Sequence, residues 1–283
     1  KKSDREDDLL LDKFIEAGEE AGFPLTRDLN GKEQEGFSRY EHTINDTPRG
    51  PRRWSSAQAY LHPALKRKNL FNETNVTVDK LILDGKKVKG VEYVNEKGVR
   101  TSCFVNREVI LSAGALGSPQ ILMRSGIGDS NDITKHGIEM VHELKGVGKN
   151  LQDHYGVTSA FYATQPVTLH RSASWLSTQI AGIKYLLFGT GDAAYPPCSG
   201  GAFIKSSPDK DLPDTQLHYV SVQSQDQHFR EGVTSDHGFG CIAYICRPQS
   251  RGHLTLKSSD PNDEPLLYPC LLYTSDAADD SLG

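Results

Sequence analysis

The chain is short of most features that would identify a function quickly. No apolar run approaches the ~18–20 residues that a membrane-spanning helix needs, and mean hydropathy is −0.51, so no membrane span is expected. Only five cysteines occur in 283 residues, at Cys103, Cys198, Cys241, Cys246 and Cys270. So sparse and odd a set does not make a disulfide framework. Cys241 and Cys246 share one apolar, strand-like run on opposite faces, which does not suit a common metal. The ten histidines never fall into a His-x-x-x-His spacing, and there is no Cys-x-x-Cys. A Gly-x-Ser-x-Gly nucleophile elbow is missing, as are a Gly-x-Gly-x-x-Gly fingerprint and a phosphate-binding P-loop. A net charge of −5 offers no electrostatic case for nucleic acid. The chain opens on Lys1-Lys2 and its first methionine is Met123. We therefore expect a piece of a longer reading frame, and the lack of a targeting segment carries no information.

What is present centres on one stretch, Glu108 to Gly128, EVILSAGALGSPQILMRSGIG. Val109, Ile110 and Leu111 form an apolar, partly β-branched run of the kind buried in a parallel sheet. Gly114 removes a side chain where that strand ends. Ser118 is placed to cap a helix with Pro119 in its first turn, and Gly126 suits a left-handed stop. A strand that gives way to small residues at a helix start lets another molecule's backbone or phosphate come close.

The length allows one large domain or two. Lys1 to Asp8 is charged and expected to fray, and Leu9 to Glu20 has helical apolar spacing. Gly36 to Ser56 reads as an extended surface segment. Its Arg49, Arg52 and Arg53 could meet an anion, although a solvated basic face is the better reading. Ser55 to Leu65 reads as a short helix. Val76 to Leu83, Val88 to Val94 and Arg100 to Val105 form a β-meander around the Asp84-Gly85 hairpin signal. Gly146-Val147-Gly148 is a flexible turn. From about Tyr155, Val157 to Ala163, Gln216 to Val222 and Phe239 to Cys246 read as antiparallel strands, with an apolar helix over Leu176 to Phe188. After a turn at Pro248 to Gly252, His253 to Lys257 pairs back.

Asp153-His154 is the most chemical-looking pair. Neighbours on extended chain point apart, so a structural role in the loop between two lobes outweighs a catalytic one. His218 and His253 default to satisfied strand histidines, and Trp54 and Trp175 to packing. Asn-x-Ser/Thr triplets start at Asn45, Asn72 and Asn75. They support an extracellular, secreted protein only weakly, and localisation stays open.

Gly114 to Gly128, GALGSPQILMRSGIG, resembles position for position the second signature of the glucose–methanol–choline (GMC) oxidoreductases. DLNGKEQEGF, RRWSSAQAYLHP, RKNL and GVGKNLQDH resemble the same family in the same order, as does SRGHLTLKSSDPNDEPLL. GIKYLLFGTG and SGGAFIKSS look like the arthropod FAD-quinone glucose dehydrogenase-like branch. The resemblance runs from about Leu9 to Pro269. It implies a mixed α/β and α+β fold: a partial FAD-binding lobe of parallel sheet plus β-meander over 1–154, a substrate lobe on an antiparallel sheet over 155–246, and the start of the C-terminal part over 247–269. Cys270 to Gly283 resembles translated adapter read-through and is set aside.

The cofactor implied is FAD. Counting from Asn69-Leu70, Val78 takes the position whose backbone meets adenine in the family. Ser112, Ala113, Gly114 and Ala115 take the turn that passes the adenosine end. The reaction implied is alcohol or sugar oxidation, with a histidine base, hydride transfer to flavin, and a quinone-like acceptor or oxygen. The family's glycine fingerprint and its catalytic histidines match no position here, so no catalytic residue is assigned and the chain by itself is expected to be inactive. Choline-oxidising members tend to carry a glutamate just after the Asp-His pair. Tyr155 and Gly156 stand there instead, so a quaternary amine is not the expected substrate.

Overall fold

A computed structural model describes residues 8–48, 50–169, 174–222 and 237–270. In chain order come α1 (Leu9–Glu20), β1 (Gly36–Arg39), β2 (Ile44–Thr47), β3 (Gly50–Arg53), a π-helical turn (Ala57–Leu61) running into α2 (His62–Ala64), β4 (Val76–Asp84), β5 (Lys87–Asn95) and β6 (Arg100–Phe104). Then follow α3 (Gly114–Arg124), β7 (Ile127–Gly128), α4 (Ser130–Ile133), β8 (His142–Glu143), β9 (Lys149–Leu151), β10 (Gly156–Tyr162), α5 (Trp175–Phe188), β11 (Cys198–Ile204), β12 (Thr215–Val220), β13 (Gly238–Ile245), β14 (Gly252–Thr255) and β15 (Leu266–Tyr268). The chain separates into two units, each made of two stretches: Lys1–Leu70 with His154–Arg247, and Phe71–Asp153 with Pro248–Gly283.

The first unit is built on a five-stranded antiparallel sheet in the order β1-β11-β12-β13-β10. Helix α1 forms where its apolar spacing predicts and packs on this sheet. Leu11 is fully buried, and Phe14 lies 5.1 Å from Phe37 and 5.6 Å from Tyr219, centroid to centroid. Asp8 overturns the expectation of fraying at that position. It is 3% exposed and caps α1 by accepting from the Leu11 N–H at 3.2 Å. It also accepts from the hydroxyls of Ser199 at 2.9 Å and Tyr219 at 3.2 Å. Residues 1–7 lie outside the described residues, as do Arg49 and the tail from residue 271. The segment read as merely extended contains β1 and the β2–β3 hairpin. Its polar composition hides the pairing, which comes from backbone groups.

Helix α5 forms as its apolar run predicts, but it buries no residue. Trp175, expected to pack, is 77% exposed. A run that is apolar on most faces sets helical extent without saying which face is covered.

In the second unit the meander β4-β5-β6 forms as its hairpin signals predict. Its core is Met123, Ile133, Leu254 and Leu256, with Ile138, Met140 and Val147 against it. Three expectations are corrected here. Val109 to Leu111 is not a strand: among the described residues none pairs with it, and Ile110 is 78% exposed. A β-branched run makes a parallel strand only when neighbours accept its hydrogen bonds. Among the described residues, parallel pairing is limited to β7 with β8 and a bridge between Leu25 and Phe37. Next, α3 begins at Gly114 rather than at Ser118; Ser118 Oγ instead accepts from the Ala113 N–H at 3.0 Å from inside the first turns. Finally, β14 does not pair back on β13. It lies between β15 and β9, because Leu254 and Leu256 find their apolar partners on α3 and α4.

Candidate cofactor-facing site

Strand β4 is the outer strand of its sheet, and an outer strand leaves backbone groups unpaired. The end of α3 closes that edge with side chains. Ser125 Oγ accepts from the Leu81 N–H at 2.8 Å and donates to the Ile121 carbonyl at 2.6 Å. Arg124 Nε donates to the Asp79 carbonyl at 2.8 Å, and another guanidinium N–H reaches the Val78 carbonyl at 3.3 Å. The register of β4 on β5 shifts between Val78 and Lys80, so Asp79 is the extra residue of a bulge. Its carboxylate, on a side chain only 7% exposed, sits 3.2 Å from Arg124 Nε and 2.5 Å from Arg100. Arg100 also reaches Glu92 at 2.7 Å. Burial pulls the Arg124 guanidinium below its ordinary range while Asp79 pulls it back up. Arginine starts so far above neutrality that it stays charged.

Gly126 ends α3 in the left-handed region with φ +77°, and any side chain there would run into the Glu139 carbonyl oxygen. The C-terminal half of the signature is thus a clamp on β4. Its N-terminal end lies exposed. Ser112, Ala113, Gly114 and Ala115 are all exposed. Gly114 has φ +78° with nothing within 4 Å of where a side chain would begin. Backbone conformation demands glycine there, and the space in front is open.

The five residues singled out from the sequence therefore fall into two groups. Val78 lies at the C-terminal end of α3 and Ser112 to Ala115 at its N-terminal end. At 1.5 Å per residue the helix keeps them about 16 Å apart. They cannot touch one ring, but they can touch two parts of an elongated dinucleotide. Sequence reasoning missed Arg124, Ser125 and Asp79. Nothing in the linear pattern links residues 45 positions apart.

The other candidates scatter. Asp153 and His154 are exposed and lie at the chain boundary between the two units. His218 packs edge-on to Tyr40 and Tyr244 and lies 3.2 Å from the Cys198 sulfur. Burial lowers the His218 pKa and raises that of the Cys198 thiol to about 12. That leaves a neutral imidazole beside a protonated thiol, which is no activated nucleophile. His253 stacks on Tyr268 at 4.6 Å. Arg52 lies over the Tyr185 ring at 4.3 Å and lines, with Arg53, a cavity of about 380 Å³. Among the described residues no group of histidine, cysteine and acidic side chains could hold a metal, and no helix is long and apolar enough to cross a membrane.

The family profile of the GMC oxidoreductases matches residues 2–156. The chain belongs to the GMC oxidoreductase family. It is 40% identical over 271 residues to mitochondrial choline dehydrogenase of Mus musculus, covering 96% of this chain and 44% of that one. To the oxygen-dependent choline dehydrogenase of Escherichia coli O139:H28 it is 39% identical, covering 91% and 46%. The chain spans less than half the length of these relatives. Among solved structures, Aspergillus oryzae formate oxidase superposes with a TM-score of 0.82 at 22% identity, over 97% of this chain and 51% of that one. Pyridoxine 4-oxidase from Mesorbium loti superposes with a TM-score of 0.75 at 25% identity, over 96% and 48%. The mixed α/β GMC fold read from the sequence is the fold found, and the solved formate oxidase carries FAD. The arthropod glucose dehydrogenase-like branch finds no counterpart among these relatives.

For the FAD that the family resemblance implies, the open Gly114 turn leaves room at one end of α3. No glycine-rich phosphate cradle is available among the described residues to hold the pyrophosphate.

Proposed function

We propose that these residues form the adenosine-side wall and part of the substrate lobe of an FAD-dependent oxidoreductase acting on CH–OH groups. Bound FAD supplies the hydride-accepting centre in such an enzyme. This chain's own contribution is positional. Val78 presents β4 backbone to the adenine, Ser112 to Ala115 leave room for the chain of the dinucleotide, and the antiparallel sheet of the first unit carries the substrate side. No residue here is assigned as the base. The observation that carries the reading is the signature helix: its sequence is that of the family, and its end grips the strand that bears Val78.

On the substrate two lines diverge. The relatives named above are choline dehydrogenases, whereas Tyr155 and Gly156 offer no acid to a quaternary ammonium and the GIKYLLFGTG and SGGAFIKSS segments look glucose dehydrogenase-like. We propose a small alcohol or sugar donor, with electrons passing to a quinone-like acceptor or oxygen. The test is a kinetic panel on the full-length enzyme with choline, glucose and aliphatic alcohols, each with a quinone dye and with oxygen alone. Turnover of any of them with flavin reduction supports the reading. Choline as best substrate overturns the inference from Tyr155, and no flavin in the full-length protein overturns the whole.

A second reading, a catalytically inactive binding or structural piece, is favoured for this chain because no pyrophosphate cradle is found among the described residues. Purified alone, the chain should show no flavin absorbance. Stoichiometric FAD on it refutes this.

A further inference from the structure

A buried ion pair is a costly way to hold two elements together. An apolar pair of the same volume is often as stable or more so, so the pairing of Arg124 with Asp79 calls for a reason beyond stability. The geometry supplies one. Asp79 is the bulged residue, and a bulge re-aims the residues beside it. Arg124, with its side chain 5% exposed, donates at once to the Asp79 carbonyl and the Val78 carbonyl while facing the Asp79 carboxylate. One planar guanidinium thereby fixes the orientation of successive peptide groups. An apolar substitute could fill the space but could not aim those groups. Lysine could not either, since it is a point charge without the fork. Arg100 holds the second carboxylate oxygen of Asp79 from β6, so the carboxylate is gripped from both sides. Ser125 fixes the next stretch of the same edge at Leu81.

We propose that Arg124 and Asp79 are positioning residues for the adenine end of FAD. Together they set the β4 bulge so that the Val78 backbone is presented in the one orientation that can pair with an adenine edge. The proposal rests on the reading that Val78 meets adenine. Backbone groups that recognise a base edge act by fixed direction, and a small rotation of the peptide weakens each hydrogen bond steeply. Loosening the pair should therefore cost affinity for the adenosine half of the cofactor and leave the hydride step alone once FAD is saturating.

The experiment uses the full-length enzyme, stripped of flavin and reconstituted. Three variants are compared with wild type: Arg124→Lys, Arg124→Met, and the double Asp79→Leu/Arg124→Met, which removes both charges and guards against simple unfolding. Readouts are FAD affinity from flavin fluorescence, ADP affinity by calorimetry, apoprotein Tm, and kcat at saturating FAD. The expected result is a tenfold or larger loss of both FAD and ADP affinity in the double variant, with its Tm close to wild type and kcat within twofold. Arg124→Lys should fall between it and wild type. Affinities within twofold of wild type in a folded double variant overturn the proposal, as does a loss of kcat with affinity intact. Photolabelling the wild type with 2-azido-ADP separates this from the underlying reading. Label on the β4 segment around Val78 supports that reading whatever the variants do. Label elsewhere refutes the reading and the positioning role with it.

Discussion

Single residues in this protein are governed by what surrounds them more than by their type. Cys198 and His218 are a nucleophile and a base by composition, yet burial leaves both neutral. The His218 pKa lies below its ordinary value, so the unfolded chain takes up a proton in a pH range where the folded chain does not. The linkage sign follows: stability is full above about pH 6.5, the unfolded value, and falls as pH drops from there toward the folded value. His42 is shifted in the same direction by burial and contributes in the same window. We expect urea-midpoint measurements between pH 5 and pH 8 to show stability rising with pH up to about 6.5. His218→Gln should make that rise shallower without abolishing it. An unchanged slope would show that the imidazole titrates alike in both states.

Among the elements, side chains distant in sequence do the anchoring. Helix α1 is held by Asp8, which combines an N-cap with two buried hydroxyl partners from β11 and β12. Asp8→Ala removes the cap and leaves Ser199 and Tyr219 without their acceptor. We expect a loss of about 2–4 kcal/mol in denaturant titration. Asp8→Asn keeps one acceptor and should lose less. Equal losses would show that the charge, and not the geometry, carries the anchor. The clamp of α3 on β4 follows the same logic. A helix end and an outer strand each leave backbone groups open, and Arg124 and Ser125 satisfy the strand's groups with side chains from the helix end.

At the scale of the whole molecule, many large apolar side chains lie exposed among the described residues. Phe104 is 71% exposed and Ile110 78%, and α5 shows Leu176, Ile183, Leu186 and Leu187 to solvent. Patches of this kind drive association. We expect this chain, purified alone, to self-associate at micromolar concentration by light scattering, and Leu186→Glu with Leu187→Lys to reduce it. A monodisperse monomer would refute that expectation. What the sequence by itself determined is what depends on neighbours along the chain: the extent of α1 and α5, the meander at Asp84-Gly85, the left-handed stop at Gly126, and the family signature. Hydrogen bonds between residues a few positions apart decide these. Pairing across long separations was decided only in the tertiary structure. Strand β14 left its sequence neighbours because Leu254 and Leu256 bury against Met123 and Ile133. Val109 to Leu111 stayed unpaired because no strand among the described residues lies beside it. Arg124 met Asp79 because a guanidinium can leave water only where a carboxylate and backbone carbonyls together replace it.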